Sequence, residues 1–184
     1  MIRKLKESIR HWFLGRALRS LERTKKTFGY KQAVNIGILY DASTEDNFRQ
    51  ITALDKDLQN DKKKVKTLGY VIHKDLPEHC FPQLSFEFCT SKNFAWNQKP
   101  TTKNVIDFIN ERYDILIDFT PSDFFHVKFL NALSDAFFKV GRFHEKYIEL
   151  YDLMIQIDDT TPQEEAVKQT IHYLKMINND QSDE

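Results

Sequence analysis

The sequence predicts an α/β fold: a single doubly wound, mostly parallel sheet of about five or six strands, Rossmann-like, preceded by a basic amphipathic N-terminal helix. Three observations carry this expectation. Short runs rich in β-branched residues alternate with capped segments of helical spacing. One run, "DILIDFT", is apolar enough for a strand buried on both faces. Cations crowd the first 31 residues, which hold five Arg and five Lys against Glu7 and Glu22, so that the opening carries a formal +8 and the rest of the chain −8.

The opening reads as a helical arm over 1–30. Ile2, Leu5, Ile9, Trp12 and Phe13 fall on one face, and Leu14, Ala17, Leu18 and Leu21 on a second stripe rotated from it, with Gly15 at the change. "TFGYKQ" breaks the pattern and opens the Rossmann-like domain, 31–178. "VNIGILYDAS" is a strand. "STEDNFRQITALDKDLQNDKKK" is a helix capped by Ser43 or Thr44, with acids first and lysines last, as the helix dipole favours. "VKTLGYVIH" returns as a strand, which makes a strand–helix–strand unit with a right-handed crossover.

Pro77, Pro82 and Pro100 bracket the short strand "SFEFCT". "TTKNVIDFINERY" is a capped amphipathic helix, "DILIDFT" the buried strand, and "PSDFFHVKFLNALSDA" a helix beginning at Pro121 and Ser122. "FFKVGRF" and "LYDLMIQID" are the last strands. "TPQEEAVKQTIHYLKMIN" closes the domain as a helix with Pro162 near its first turn, and 179–184 is an acidic, disordered tail.

With 184 residues, 41% hydrophobic and 13% aromatic, the chain has material for one domain with a real core. Cys80 and Cys89 give no disulfide framework, and no Asn-x-Ser/Thr acceptor occurs, both of which fit a reducing cytoplasm. The longest apolar run of the arm, "WFL", is too short for a secretory signal, and no segment approaches the roughly 18 apolar residues of a membrane span.

"NFAWNQK", "YDILIDFT", "LNALSDAFFKVG", "LYDLMIQI" and "YLKMIN", in that order and spacing, resemble a bacterial family of small Rossmann-like α/β proteins of unknown function, over roughly residues 30–178. The resemblance implies a fold and carries no functional residues over. A strand ending in Asp, a helix with small residues and then "KVG" is similar, at the level of fold, to the amino-terminal half of heptosyltransferase-type glycosyltransferases. Those enzymes use a second Rossmann domain, for which this chain has no room, so the likeness implies shape and not activity.

In such a sheet ligands bind beyond the carboxyl ends of the strands. The side chains expected there are Asp41, Ser43 and Thr44, then Asp118, Thr120 and Ser122, then Asp158. Asp41 and Asp118 would chelate a hard cation or work as an acid/base pair if their strands are neighbours, acting on a phosphorylated or sugar-type small molecule. The competing reading makes them turn and cap residues, which Asp and Ser favour. "YDASTEDN" lacks the glycines of a phosphate cradle, and no dinucleotide or Walker fingerprint occurs.

His73, His79, Cys80 and Cys89 match no zinc spacing, so no metal and no cofactor is expected. Lys139 reads as the ion-pair partner of Asp135; a receiver domain would need two adjacent acids where "LYDAS" supplies one. The arm has four readings: packing on its own acidic body, lying on an anionic membrane surface, binding nucleic acid or the ribosome, and organelle targeting. Packing needs no partner. Among the others the membrane comes first, with Trp12 and Phe13 buried and Arg10, Arg16 and Arg19 paired to lipid phosphates. Phosphate binding alone leaves the apolar stripe unexplained, and the many lysines speak against targeting. The expectation is a cytoplasmic, non-catalytic interaction module, peripheral at the inner membrane face.

Overall fold

The chain is described here by a computed structural model covering residues 2–82 and 84–177. The acidic tail expected at 179–184 and the side chains of Ile2 and Leu5 lie outside the described residues. Helix α1 spans Ile2–Ser20. Strand β1 (Asn35–Asp41), helix α2 (Glu45–Asn60) and strand β2 (Lys64–Val71) form the expected strand–helix–strand unit. Then come β3 (Phe86–Thr90), α3 (Lys103–Asn110), β4 (Ile115–Asp118), α4 (Phe125–Leu133), β5 (Phe138–Arg142), β6 (Leu153–Ile155) and α5 (Gln163–Met176).

The six strands make one sheet in the order β3-β2-β1-β4-β5-β6, and every neighbouring pair is parallel. The order reverses between β1 and β4, which is where the doubly wound arrangement opens its crevice. Alternation along the strands divides the core. Ile36, Ile38, Ile115 and Ile117 face α2 and α5, packing on Ile51, Leu58, Ala166 and Leu174. Leu39, Leu68 and Leu116 face the other way, onto Val105 and Phe108 of α3 and Val127 and Leu130 of α4.

The arm completes that second helical layer. Leu14 and Ala17 are buried against Phe125, Phe129 and Ala132 of α4 and against Tyr147, Leu150 and Tyr151 beside β6, with Phe13 and Leu18 half-buried around them. Leu14 alone is a full side chain removed from water, worth about 1.5–3 kcal/mol.

The helix stops at Ser20, ten residues before the boundary expected from the "TFGYKQ" break. Tertiary contacts win over local pattern here. Arg23 donates through Nη1 and Nη2 to both oxygens of Asp152, at 2.6 and 2.5 Å, and through Nη1 to the carbonyls of Ala136 and Phe137. The chain then runs without regular structure to β1. Tyr30 N–H donates to Leu174 O, and Lys63 Nζ donates to the carbonyls of Tyr30 and Ala33.

Helix α4 starts at Phe125, after Pro121 and Ser122 rather than on them. Ser122 is held elsewhere, its hydroxyl on Asp159, and the backbone spends 121–124 in a turn closed by Phe124 N–H on Pro121 O.

Candidate functional site

The carboxyl ends of β1 and β4 place Asp41 and Asp118 on neighbouring strands. Leu39 is in register with Asp118, and Asp41 with Tyr70 of β2. By alternation both carboxylates project to the α3/α4 side. Their environments differ. Asp41 is half-buried and shapes its own turn, Oδ1 accepting from Ser43 N–H at 2.9 Å. Thr44 caps α2 by accepting from Asn47 N–H, and Ser43 Oγ accepts from Ile72 N–H.

Asp118 is 1% exposed and is the hub of a closed network. Its Oδ1 accepts from the N–H and the hydroxyl of Thr120, at 2.8 and 2.6 Å. Its Oδ2 accepts from Lys128 Nζ at 3.0 Å and from Tyr151 Oη–H at 2.7 Å. Lys128 spends its other protons on the carbonyl and hydroxyl oxygens of Thr120. Every lone pair of the carboxylate is thus occupied, and a ligand could reach it only by displacing Lys128 or Tyr151.

Burial pushes the Lys128 ammonium below its ordinary value while the Asp118 charge pulls it back, and burial beside Asp118 holds the Tyr151 phenol well above its own. Gly141 makes room for this arrangement, since a Cβ there would collide with the Tyr151 ring. A buried pair of this kind contributes little net stability when complete but costs about 3–5 kcal/mol when halved.

The remaining strand-end residues serve the surrounding loops. Ser122 bonds Asp159, and its carbonyl accepts from Tyr147 Oη–H. Asp158 turns the chain by accepting from Thr160, while its carbonyl accepts from Arg142 Nη1. Arg142 Nε donates to Phe119 O, so this guanidinium ties the β4 and β6 loops together.

His126, in the first turn of α4, is stacked on Tyr70 with centroids 5.4 Å apart, and its Nδ1 meets Tyr70 Oη at 2.9 Å. Phe94 closes its other side at 4.6 Å. Burial, helped by the Arg10 charge, lowers its imidazole to about 4.

The thiols and histidines of the 73–89 region do not gather. His79 Nε2 and Cys80 Sγ both meet the Ala42 carbonyl, Cys89 lies inside β3, and burial raises both thiols, Cys80 to about 11. Among the described residues no cluster of three His, Cys, Asp or Glu side chains stands ready for a metal ion.

Lys139 does not pair with Asp135, which lies 3.6 Å from Arg112 instead. Its Nζ donates to Asn131 O at 2.5 Å. Desolvation dominates and brings it to about 7, with Arg23 adding to the effect.

An exposed aromatic surface is formed by α1 and the tight turn that follows β3. Trp12 is 54% and Trp96 83% exposed. Phe13 sits between them, its centroid 5.0 Å from Trp12 and 5.8 Å from Trp96. The turn is pinned by Gln98 N–H on Ala95 O, by Ala95 N–H on Lys99 O and by left-handed backbone at Gln98, φ 68°. Arg16 lies over the Trp12 ring at 5.7 Å and Arg10 over Phe125 at 5.7 Å, and Arg10, Arg16, Arg19 and Lys99 are all exposed.

The sequence had singled out Asp118, Trp12 and the arginines as candidates, and had not singled out Lys128, Tyr151, His126 or Trp96. A lysine in the middle of "FFHVKFLNAL" was the available signal, because a lone cation on an apolar helix needs a buried acid.

Among the described residues no helix is long and apolar enough to cross a membrane. In comparison with known proteins, the sequence matches the family of unknown function DUF6913 over residues 6–177. The likeness to heptosyltransferase-type enzymes finds no support there. No curated protein and no solved structure matches the chain.

Proposed function

For this chain, which belongs to the family of unknown function DUF6913, we propose a non-catalytic interaction module that rests on an anionic membrane surface through the outward side of α1 and the Trp96 turn. The observation that carries the proposal is the Trp12–Phe13–Trp96 cluster, its two indoles exposed and its Phe13 half-buried, with exposed Arg10, Arg16 and Arg19 on the same helix and Lys99 on the same turn. Indole rings are at home at the boundary between acyl chains and water, and arginine stems lie along apolar surface while their heads reach phosphate. Each cation near an anionic leaflet adds about 1 kcal/mol.

Ile9, 46% exposed beside Trp12, favours lipid over nucleic acid. An aliphatic side chain gains from an acyl environment and gains nothing from stacking on a base. The strand-end acids support a small-molecule site less well, because Asp118 is saturated by protein donors.

Flotation of the full chain with vesicles of phosphatidylglycerol and phosphatidylcholine in equal parts, against phosphatidylcholine alone, tests the reading. Salt-sensitive flotation with the anionic vesicles is expected, reduced about tenfold by Trp12→Ala and again by Trp96→Ala. Absence of flotation at low salt, or flotation indifferent to both substitutions, would overturn it. Capture of a single-stranded oligonucleotide in place of vesicles would reassign the surface to nucleic acid.

A further inference from the structure

Between α1, the Trp96 turn and α4 lies a cleft of about 380 Å³, within the range of small-ligand pockets. Its floor is apolar, made by Phe13 and Ala17 of α1 and Phe129 and Leu133 of α4. Its rim is cationic, with Arg16 on one side and Lys99 on the other, and no acidic side chain lines it. Neither cation has a carboxylate partner among the described residues. An apolar floor under two unpaired cations is complementary to one kind of molecule, an anion carrying a hydrocarbon chain.

We propose that this cleft binds the headgroup phosphate of a single anionic phospholipid, held between Arg16 and Lys99, with the first methylenes of an acyl chain laid over Phe129 and Leu133. The inference rests on the membrane reading and names the lipid contact within it.

The surroundings are organised for such a contact. Arg16 is braced over the Trp12 ring, which limits the conformations its guanidinium must give up on binding. Asn97, on the rim, accepts from Lys99 N–H through Oδ1, which leaves its Nδ2 hydrogens for the phosphate. The hydrogen bonds that close the turn fix Lys99 relative to Trp96, so the cleft exists before the lipid arrives.

The protein's two tryptophans, Trp12 and Trp96, are both beside the cleft, so intrinsic fluorescence reports it without a label. Titrating the full chain with dihexanoyl phosphatidylglycerol below its micelle concentration should give a saturable change. Dihexanoyl phosphatidylcholine, whose choline meets the two cations, should bind at least tenfold more weakly, and inorganic phosphate, which lacks the chain, should also bind at least tenfold more weakly. The double variant Arg16→Gln, Lys99→Gln removes two charge-assisted contacts from exposed positions and should weaken the anionic lipid by about a hundredfold.

Equal affinity for inorganic phosphate, or an unchanged affinity in the double variant, overturns the proposal. Vesicle flotation without saturable short-chain binding also overturns it while leaving the membrane reading intact; loss of both removes the two together.

Discussion

Lys139→Met should make the protein more stable at neutral pH, and the gain should fade as the pH rises. In the native state burial brings the ammonium of Lys139 from 10.5 to about 7. Between these values the unfolded chain holds a proton that the native chain does not, so this residue makes stability rise with pH. At 1.36 kcal/mol per tenfold, its charged form is opposed by roughly 4–5 kcal/mol, all of it felt at pH 7 and below. Methionine fills similar space and loses one hydrogen bond, to Asn131 O, worth about 1 kcal/mol. The expected net gain is roughly 3 kcal/mol at pH 7, shrinking to near zero by about pH 9.5. Buried Cys80 and Cys89 act in the opposite sense above about pH 8.5, since their thiols are raised in the native state. The quantity to follow is therefore the difference between variant and parent in urea unfolding at each pH, in which the thiols cancel. A difference that stays constant from pH 7 to 9.5 would refute the reasoning and mean that Lys139 remains charged inside the fold.

Three further outcomes follow from the same geometry. Asp118→Asn should cost about 3–5 kcal/mol by leaving Lys128 buried without its anion, and adding Lys128→Met should recover most of the loss, both read by denaturant unfolding. His126, lowered to about 4, holds its native neutral form while the unfolded ring takes a proton, so stability should fall as the pH drops from 6.5 toward 4. His126→Phe should remove that part of the acid-side decline, about 2 kcal/mol after solvent screening, as thermal melts across this window would show. Leu14→Ala should cost about 2–4 kcal/mol in urea unfolding yet leave vesicle flotation of the folded protein unchanged, the reverse of Trp12→Ala.

The parallel sheet was legible because its physics is printed locally. Strands buried on both faces become apolar runs, as in "ILID", and the helices between them carry apolar residues at helical spacing, in α2 behind the Thr44 cap, whereas Thr102 before α3 makes no side-chain cap. The Asp118 network was not legible, since Thr120, Lys128 and Tyr151 come from a loop, a helix and the approach to β6, and only their meeting shows which donors the carboxylate receives. Lys139 misled for a related reason. Asp135 is near in sequence, but Arg112 takes it, and the strand register buries the lysine instead. The Trp96 turn depends on left-handed backbone at Gln98, a residue that gives no turn signal.

The arm's charge reads alike whether the helix is docked or free, and the structure shows why both halves of its sequence are needed. Leu14, Ala17 and Leu18 carry the stripe that joins α1 to α4, while Ile9 and Trp12 carry the stripe left in water. A chain beginning at Val34 would therefore lose more than a surface: it would uncover Phe125, Phe129 and Tyr151 and leave Asp152 without Arg23. Docking also changes what binding costs. An interfacial helix that folds on the membrane must order its backbone at that moment, at about 1–2 kcal/mol per residue. Here packing on α4 has already met that cost, and the Trp96 turn holds a second indole beside the first. On the membrane reading proposed above, two rings and a few cations would then suffice for reversible attachment, where a free helix would need a longer apolar face.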